Sequence, residues 1–309
     1  MMRVGLICCD RSKFPNLPLM KLSAFHKSQG DFVEWYNPFN EVYDRVYISR
    51  VFTASSDFLE VVNAREVVRG GSGFAITMVD GREVYGDDLP LPYEVEHQYP
   101  DYGLYGITDT AYGFLSRGCP RGCSFCIVGQ KEGRASVKVA DLSEFWSGQR
   151  NLVLCDPNIL ACREWESLLT QVADSKACVD FNQGLDARLL RKENIDLLNS
   201  CKLRNVHFAW DRFQDKDLIL SKLELYAEYG NIKAHRHNII VYTIVNYDTS
   251  FEQDLERVYT LRSLGYWPYI MIYNKVNVER RYKDLQRWVN NRFIFAKCSK
   301  FEDYISSIM

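Results

Sequence analysis

The stretch Ser116-Arg117-Gly118-Cys119-Pro120-Arg121-Gly122-Cys123-Ser124-Phe125-Cys126 sets three cysteines at the spacing C-x3-C-x2-C. Gly118, Pro120 and Gly122 make a loop that folds back on itself, so that three thiolates can converge where a helix or strand of this spacing would spread them. With ten cysteines in 309 residues, chance supplies this pattern in roughly 1% of such chains. A closed zinc site takes four protein ligands, commonly two C-x-x-C pairs or one pair with histidines. No second pair exists, and His97 and His207 lie in unrelated segments. Three thiolates on four irons leave one iron open, and an open position separates a reactive metal site from a structural one. A non-catalytic iron-sulfur or zinc binding module is the competing reading.

Outward from this loop, strand and helix patterns alternate. Ala111 to Leu115 reads as a strand and Val139 to Trp146 as a helix, Asn151 to Leu154 as a strand and Arg163 to Ala173 as a helix. Cys178 to Phe181 and Asn194 to Ser200 follow, then Val206 to Trp210 and Leu218 to Tyr229, then Asn238 to Val245 and Phe251 to Leu264, and Tyr269 to Tyr273 is a sixth strand. Six such units predict a parallel barrel or an open piece of one, with active groups at the C-terminal ends of its strands. The first ~75 residues predict a small open βαβ sheet. Its elements are a strand at Val4 to Cys9, a helix at Leu17 to Ser28, a strand at Arg45 to Val51, a helix at Asp57 to Asn63 and a short strand before Gly70-Gly71-Ser72-Gly73. The stretch from Asp80-Gly81-Arg82 through Asp87-Asp88 to Tyr99-Pro100-Asp101 is a linker or covering loop.

The cysteine stretch resembles the signature of the radical S-adenosylmethionine (SAM) superfamily, with Phe125 as the aromatic before the last cysteine. The resemblance implies an α/β chain in which a partial (β/α)6 TIM-type barrel follows a small Rossmann-like βαβ domain. It divides the chain into a degenerate cobalamin-binding-like domain with linker (1–105), the barrel (106–275) and a C-terminal helical extension (276–309). It also implies that Cys119, Cys123 and Cys126 hold a 4Fe-4S cluster whose open iron chelates SAM. An electron from the cluster then splits the sulfonium into methionine and a 5′-deoxyadenosyl radical, which takes a hydrogen atom from a substrate the sequence does not name. A reducing partner such as flavodoxin or ferredoxin supplies the electron. Cobalamin is not expected, because Asp10 is followed by Arg11-Ser12-Lys13 in place of the Asp-x-His-x-x-Gly motif. A cobalamin-dependent radical methyltransferase and an RNA-modifying methylthiotransferase-like enzyme are the alternatives.

Other strand ends supply the expected SAM contacts. Asp156 or Asn158 in Cys155-Asp156-Pro157-Asn158 would accept from the SAM amino group, with a plain turn as the equal alternative. In Asn182-Gln183-Gly184-Leu185-Asp186-Ala187-Arg188, Gln183 belongs to the cofactor set, and Arg188 either pairs with the SAM carboxylate or forms an internal ion pair. Asp211 would meet the ribose hydroxyls or cap the next helix. Asn246 and Asp248 rank lower, His207 reads as a hydrogen-bonded core histidine, and His235 and His237 form a weak metal pair at best. The other cysteines read as small packed groups, with no auxiliary cluster.

Composition agrees with a globular chain: 47% apolar, 14% aromatic, 25% charged and a formal charge of −2, which excludes disordered and collagen-like classes and advertises no polyanionic partner. No apolar run approaches the ~18 residues of a membrane helix. Ten cysteines in a long chain without a signal core read as a soluble, reducing, cytoplasmic protein whose cysteines are thiols or metal ligands. Locally, Lys275 to Lys300 carries eight Lys/Arg against Glu279 and Asp284, interleaved with Tyr282, Trp288, Phe293 and Phe295. That pattern suits either RNA or DNA, or an amphipathic helix with Trp288 buried.

Overall fold

In the computed structural model the described residues are 1–79, 82–86, 88–232 and 238–308. His235, His237, Asp80, Gly81 and Asp87 therefore lie outside them. The first sheet contains β1 (Arg3–Cys8), β2 (Phe32–Trp35), β3 (Tyr43–Ser49) and β4 (Ala64–Gly70), all parallel, in the order β2-β1-β3-β4. Between β1 and β2 runs α1 (Leu17–Ser28), started by Asn16, whose side chain accepts from Leu19 N at 3.1 Å. The strand order reverses between β1 and β3, and in open parallel sheets such a reversal leaves a crevice at the carboxyl ends.

Two expectations for this sheet change. The strand β2 is an addition, a four-residue edge strand with Phe32 and Trp35 partly exposed. The expected helix at Asp57 to Asn63 is an irregular connection. Arg69 of β4 takes both the Asp57 carboxylate and the Phe58 carbonyl, and Asp57 accepts from Phe58 N, so these groups are tied down outside any helix.

The linker holds α2 (Ser72–Ala75), a hairpin of β5 (Ile76–Val79) and β6 (Arg82–Tyr85), and α3 (Tyr93–Glu96). Then come β7 (Thr110–Gly113), β8 (Ser116–Arg117), α4 (Val128–Lys131), β9 (Val137–Lys138) and β10 (Asn151–Leu154). The alternation continues with α5 (Trp165–Ser175), β11 (Cys178–Phe181), α6 (Lys192–Ser200), β12 (Lys202–Leu203), β13 (Val206–Ala209), α7 (Lys216–Tyr229), β14 (Ile239–Val245), α8 (Phe251–Ser263) and β15 (Trp267–Ile272). All six expected strands of this region form, and they form as two parallel sheets, β7-β10-β11-β12 and β13-β14-β15. Among the described residues no ladder joins β12 to β13 or β15 to β7, so barrel closure is not part of the fold. A backbone bond from Leu185 N, after β11, to His207 O of β13 at 2.7 Å stitches the two sheets. The helix expected at Val139 to Trp146 shrinks to one 3-10 turn, Leu142–Glu144. There the Glu144 carboxylate folds back onto Asp141 N at 2.9 Å, and the chain soon turns at Gly148 with φ 107°.

Leu152 and Leu154 of β10, Val179 and Phe181 of β11, and Val206 and Phe208 of β13 alternate with less buried neighbours, sending one face of each strand to the helices. Leu17 and Met20 of α1 join this same core, so the first sheet's helix and the strands β10, β11 and β13 share apolar packing. A second core unites Val245, Ile270 and Val258 with α9 (Arg280–Asn290), α10 (Arg292–Lys297) and α11 (Phe301–Ile308). Tyr282, Trp288 and Phe295 are buried in it, leaving Phe293 as the one exposed aromatic of the basic segment. The amphipathic-helix reading of that segment therefore fits, because the rings a nucleic acid would stack on are core. No described helix is long and apolar enough to cross a membrane.

Candidate active site

The cysteine segment is a loop closed at its base. Ser116 pairs with Lys138 and Arg117 with Val137 in the antiparallel β8–β9 ladder. Gly118 then turns with φ 84°, and a Cβ there would lie 2.1 Å from the carbonyl oxygen of Ala135. Only glycine lets the chain pass under its own return segment, and Cys119 N then donates to Gly133 O at 3.1 Å. Cys126 N donates to Cys123 O at 3.0 Å, a tight turn between the last two cysteines. All three cysteines are free thiols. From the far side, Phe125 meets Tyr247 edge-on at 5.4 Å between ring centroids, and the Tyr247 hydroxyl donates to Ser124 Oγ at 2.6 Å.

Cys119, Cys123 and Cys126 line a cavity of about 1690 Å³. Its opposite wall is the carboxyl edge of the first sheet, with Asp10, Ser49 and the Gly70-Gly71-Ser72 turn, which is where the strand-order reversal leaves its crevice. One continuous space thus runs from the cysteine loop to the end of the N-terminal sheet.

The expected contact residues divide in two. Phe125, Asn158, Gln183, Arg188 and Asp211 line the cavity. Asp156 is buried away from it, and its carboxylate accepts from Leu115 N, Ser116 N and Ser116 Oγ. Burial pushes the Asp156 carboxyl up to about 6, against the pull of those donors. The turn reading fits Asp156: it pins the end of β7 where the loop departs. Asn158 is 3% exposed; its Nδ2 donates to Asp186 Oδ2 at 3.2 Å and to Cys119 Sγ at 3.4 Å, and its Oδ1 has no partner.

Arg188 takes the ion-pair alternative. It forks onto Asp186 through Nε at 2.8 Å and Nη2 at 3.3 Å, and its Nη1 reaches Asp215 at 3.1 Å. Asp211 accepts from Ile244 N at 3.2 Å, and burial pushes its carboxyl up to about 6 although Ile244 N and Arg257 favour the charge. Gln183 is exposed at the cavity wall. His207 is a core residue as expected, but its Nδ1 is buried without a hydrogen bond, 3.6 Å from Asp180.

Several organising residues carry no motif. Asp186 receives Arg188, Asn158 and also Arg121 Nε from the cysteine loop at 2.9 Å. Burial pushes the Asp186 carboxyl up, but the two guanidinium groups outweigh it and hold the group below the usual carboxylate range. Arg257, fully buried, donates to the carbonyls of Trp210, Asp211 and Ile244 and pairs with Asp254, tying together the ends of β13 and β14. Lys21 of α1 reaches Glu96, which Arg117 also meets, and Arg117 continues to Glu132, so an ionic chain links the first sheet's helix to the loop base. Asp186 had a sequence signal in its place after β11, whereas Arg257, Asp254, Lys21 and Glu96 lie within helices and had none.

Among the described residues no three His, Cys, Asp or Glu side chains come close enough to share one metal ion. A four-iron cube takes each thiolate on a different iron, so its ligands need not meet at a point. Three free thiols around one cavity, with Arg121 and Arg188 beside them, fit an anionic iron-sulfur cluster. The partnerless Asn158 Oδ1 fits a ligand that donates hydrogen bonds. Among the described residues the one imidazole on the cavity wall, His97, is held by Glu144 at 2.6 Å and so is not a free ligand for a corrinoid.

No family model and no curated protein matches the chain. Among solved structures, the fold is similar to that of TsrM, a radical S-adenosylmethionine methyltransferase from Kitasatospora setae solved with cobalamin and a 4Fe-4S cluster bound. The TM-score is 0.61 at 12% identity, over 88% of this chain and 75% of the other, a likeness of fold.

Proposed function

We propose that this chain is a radical SAM enzyme, with residues 106–275 as its catalytic partial barrel, 1–105 as the unit covering the cavity and 276–309 as a helical extension. The observation that carries the reading is the set of three free thiols, Cys119, Cys123 and Cys126, turned into one cavity by a glycine-dependent loop after the first strand of a parallel α/β array. These residues would hold a 4Fe-4S cluster, which when loaded supplies the single electron that splits SAM into methionine and a hydrogen-abstracting 5′-deoxyadenosyl radical. A reducing protein such as flavodoxin or ferredoxin would deliver that electron. Asn158 would offer its partnerless Oδ1 to the SAM ammonium, Asp211 and Gln183 would be available to the nucleoside, and Phe125 lines the same cavity. Arg188 holds the third strand end in shape through Asp186 and Asp215.

A second reading refines the first: radical methyl transfer with cobalamin in the same cavity. It is supported by the unbroken space between the cysteines and the first sheet's crevice, and by the fold likeness to a cobalamin-bound methyltransferase over 88% of the chain.

Anaerobic reconstitution with iron and sulfide, then SAM and a strong reductant, tests the first reading by mass spectrometry. 5′-Deoxyadenosine is expected from wild type and not from Cys123→Ala. A wild-type chain with about four irons that cleaves no SAM would instead favour a binding module. Hydroxocobalamin carried through gel filtration with the chain, seen by its visible absorption, would support methyl transfer, and its absence from the protein peak would end that refinement.

A further inference from the structure

We propose that Asn158 is a positioning residue for the cysteine loop: its amide N–H donates to the Cys119 sulfur, and Asp186 fixes the amide in the orientation that makes this possible. The inference rests on the reading that Cys119 is a cluster ligand. Its grounds are the geometry around one amide.

An asparagine side chain can turn either its oxygen or its nitrogen toward a neighbour, and the neighbours decide which. Asp186 is an ionised acceptor with no proton to give, because Arg121 and Arg188 both bind it. It therefore demands the nitrogen of Asn158, at 3.2 Å. With Nδ2 so placed, its second hydrogen faces Cys119 Sγ at 3.4 Å, a normal length for donation to sulfur. The backbone of Asn158 is also held, since its carbonyl accepts from Ser136 Oγ at 2.9 Å and from Ala161 N at 3.2 Å. A chain of fixed groups thus runs from two arginines through Asp186 and Asn158 to one sulfur. Donors to ligand sulfur disperse the charge that a cluster gains on reduction and so raise its potential. Asn158 and Asp186 together would make Cys119 electronically unlike Cys123 and Cys126.

The test uses the full chain as wild type, Asn158→Leu, Asn158→Asp and Asp186→Asn, each reconstituted anaerobically. Irons per chain and the reduced fraction, from electron paramagnetic resonance across a series of solution potentials, are both recorded. In Asn158→Leu the reduced-to-oxidised ratio at a fixed potential should fall about tenfold, or about 59 mV for a one-electron couple. Asn158→Asp should shift further in the same direction, because it replaces the donor with a charge, and Asp186→Asn should shift less. Variants that load less iron while the loaded fraction titrates at the wild-type midpoint would reduce Asn158 to a structural role and overturn the proposal. A wild-type chain that binds no cluster would overturn the parent reading instead, and this inference with it.

Discussion

Tyr247 and Ser124 are 123 residues apart in sequence and joined by a 2.6 Å hydrogen bond between their hydroxyls. The loop after β14 therefore grips the cysteine loop after β7, and it does so with a ring contact as well, Tyr247 against Phe125 at 5.4 Å, while Tyr273 after β15 meets Tyr247 at 4.6 Å. Aromatic edge contacts of this kind hold orientation without demanding charge.

Removing only the hydroxyl isolates that grip. Tyr247→Phe keeps the ring contacts and should lower global stability by about 1 kcal/mol. Iron loss to a chelator, followed by the decay of visible absorption, should quicken by about fivefold if the loop opens in proportion. An unchanged rate would show that the rings alone hold the loop.

Gly118 is the position where the loop tolerates least. In Gly118→Ala the new methyl must displace the Ala135 carbonyl, and the residue must keep a left-handed conformation, at about 1–3 kcal/mol of strain. The α/β fold should survive, by circular dichroism, while reconstituted iron falls well below wild type. Gly133→Ala is a useful comparison, since its φ is also positive but no atom lies within 4 Å of its added Cβ.

Asp156 predicts a pH signature. Its folded carboxyl titrates at about 6 against an ordinary 3.8, so the folded chain holds its proton longer than the unfolded chain. The corresponding stability is present below about pH 4 and is lost as pH rises through about 6, by about 3 kcal/mol in all. Urea unfolding of wild type and Asp156→Asn at intervals from pH 4 to 7 should give a difference curve with that slope. Parallel curves would mean that the carboxyl is not shifted.

The buried pair Arg257–Asp254 should be costly to break and cheap to replace. Arg257→Met leaves Asp254 unpaired and three carbonyls without their donor, for a loss of about 3–5 kcal/mol. The double variant Arg257→Met with Asp254→Leu should recover much of it, measured by chemical denaturation. Both should alter the position of Asp211, whose carbonyl Arg257 holds.

Periodicity revealed the parallel strands because each has one face in the helix-packed core, and the burial alternation along β10 and β11 is the physical form of that pattern. It did not reveal β2, whose four residues lie on an exposed edge, nor exclude the helix at 57–63, which Arg69 prevents from a distance of more than ten residues. The cysteine loop was legible because its spacing and glycines are local. Asp186, Tyr247 and Arg257 were not, since each acts on partners from other elements. Asn158 lies between these cases: the sequence marked the position, but the direction of its amide is set by Asp186, 28 residues away.

Leu17 and Met20 reach from α1 into the core beneath the strands β10, β11 and β13. The consequence concerns how this chain can be cut. A fragment beginning near residue 106 would expose an apolar socket where those two side chains sat, and it would lose the Lys21 end of the ionic chain to the loop base. The amino-terminal sheet is therefore a missing wall and not a removable accessory. Recombination that exchanged it for another sheet would succeed only if the newcomer brought its own plug for that socket.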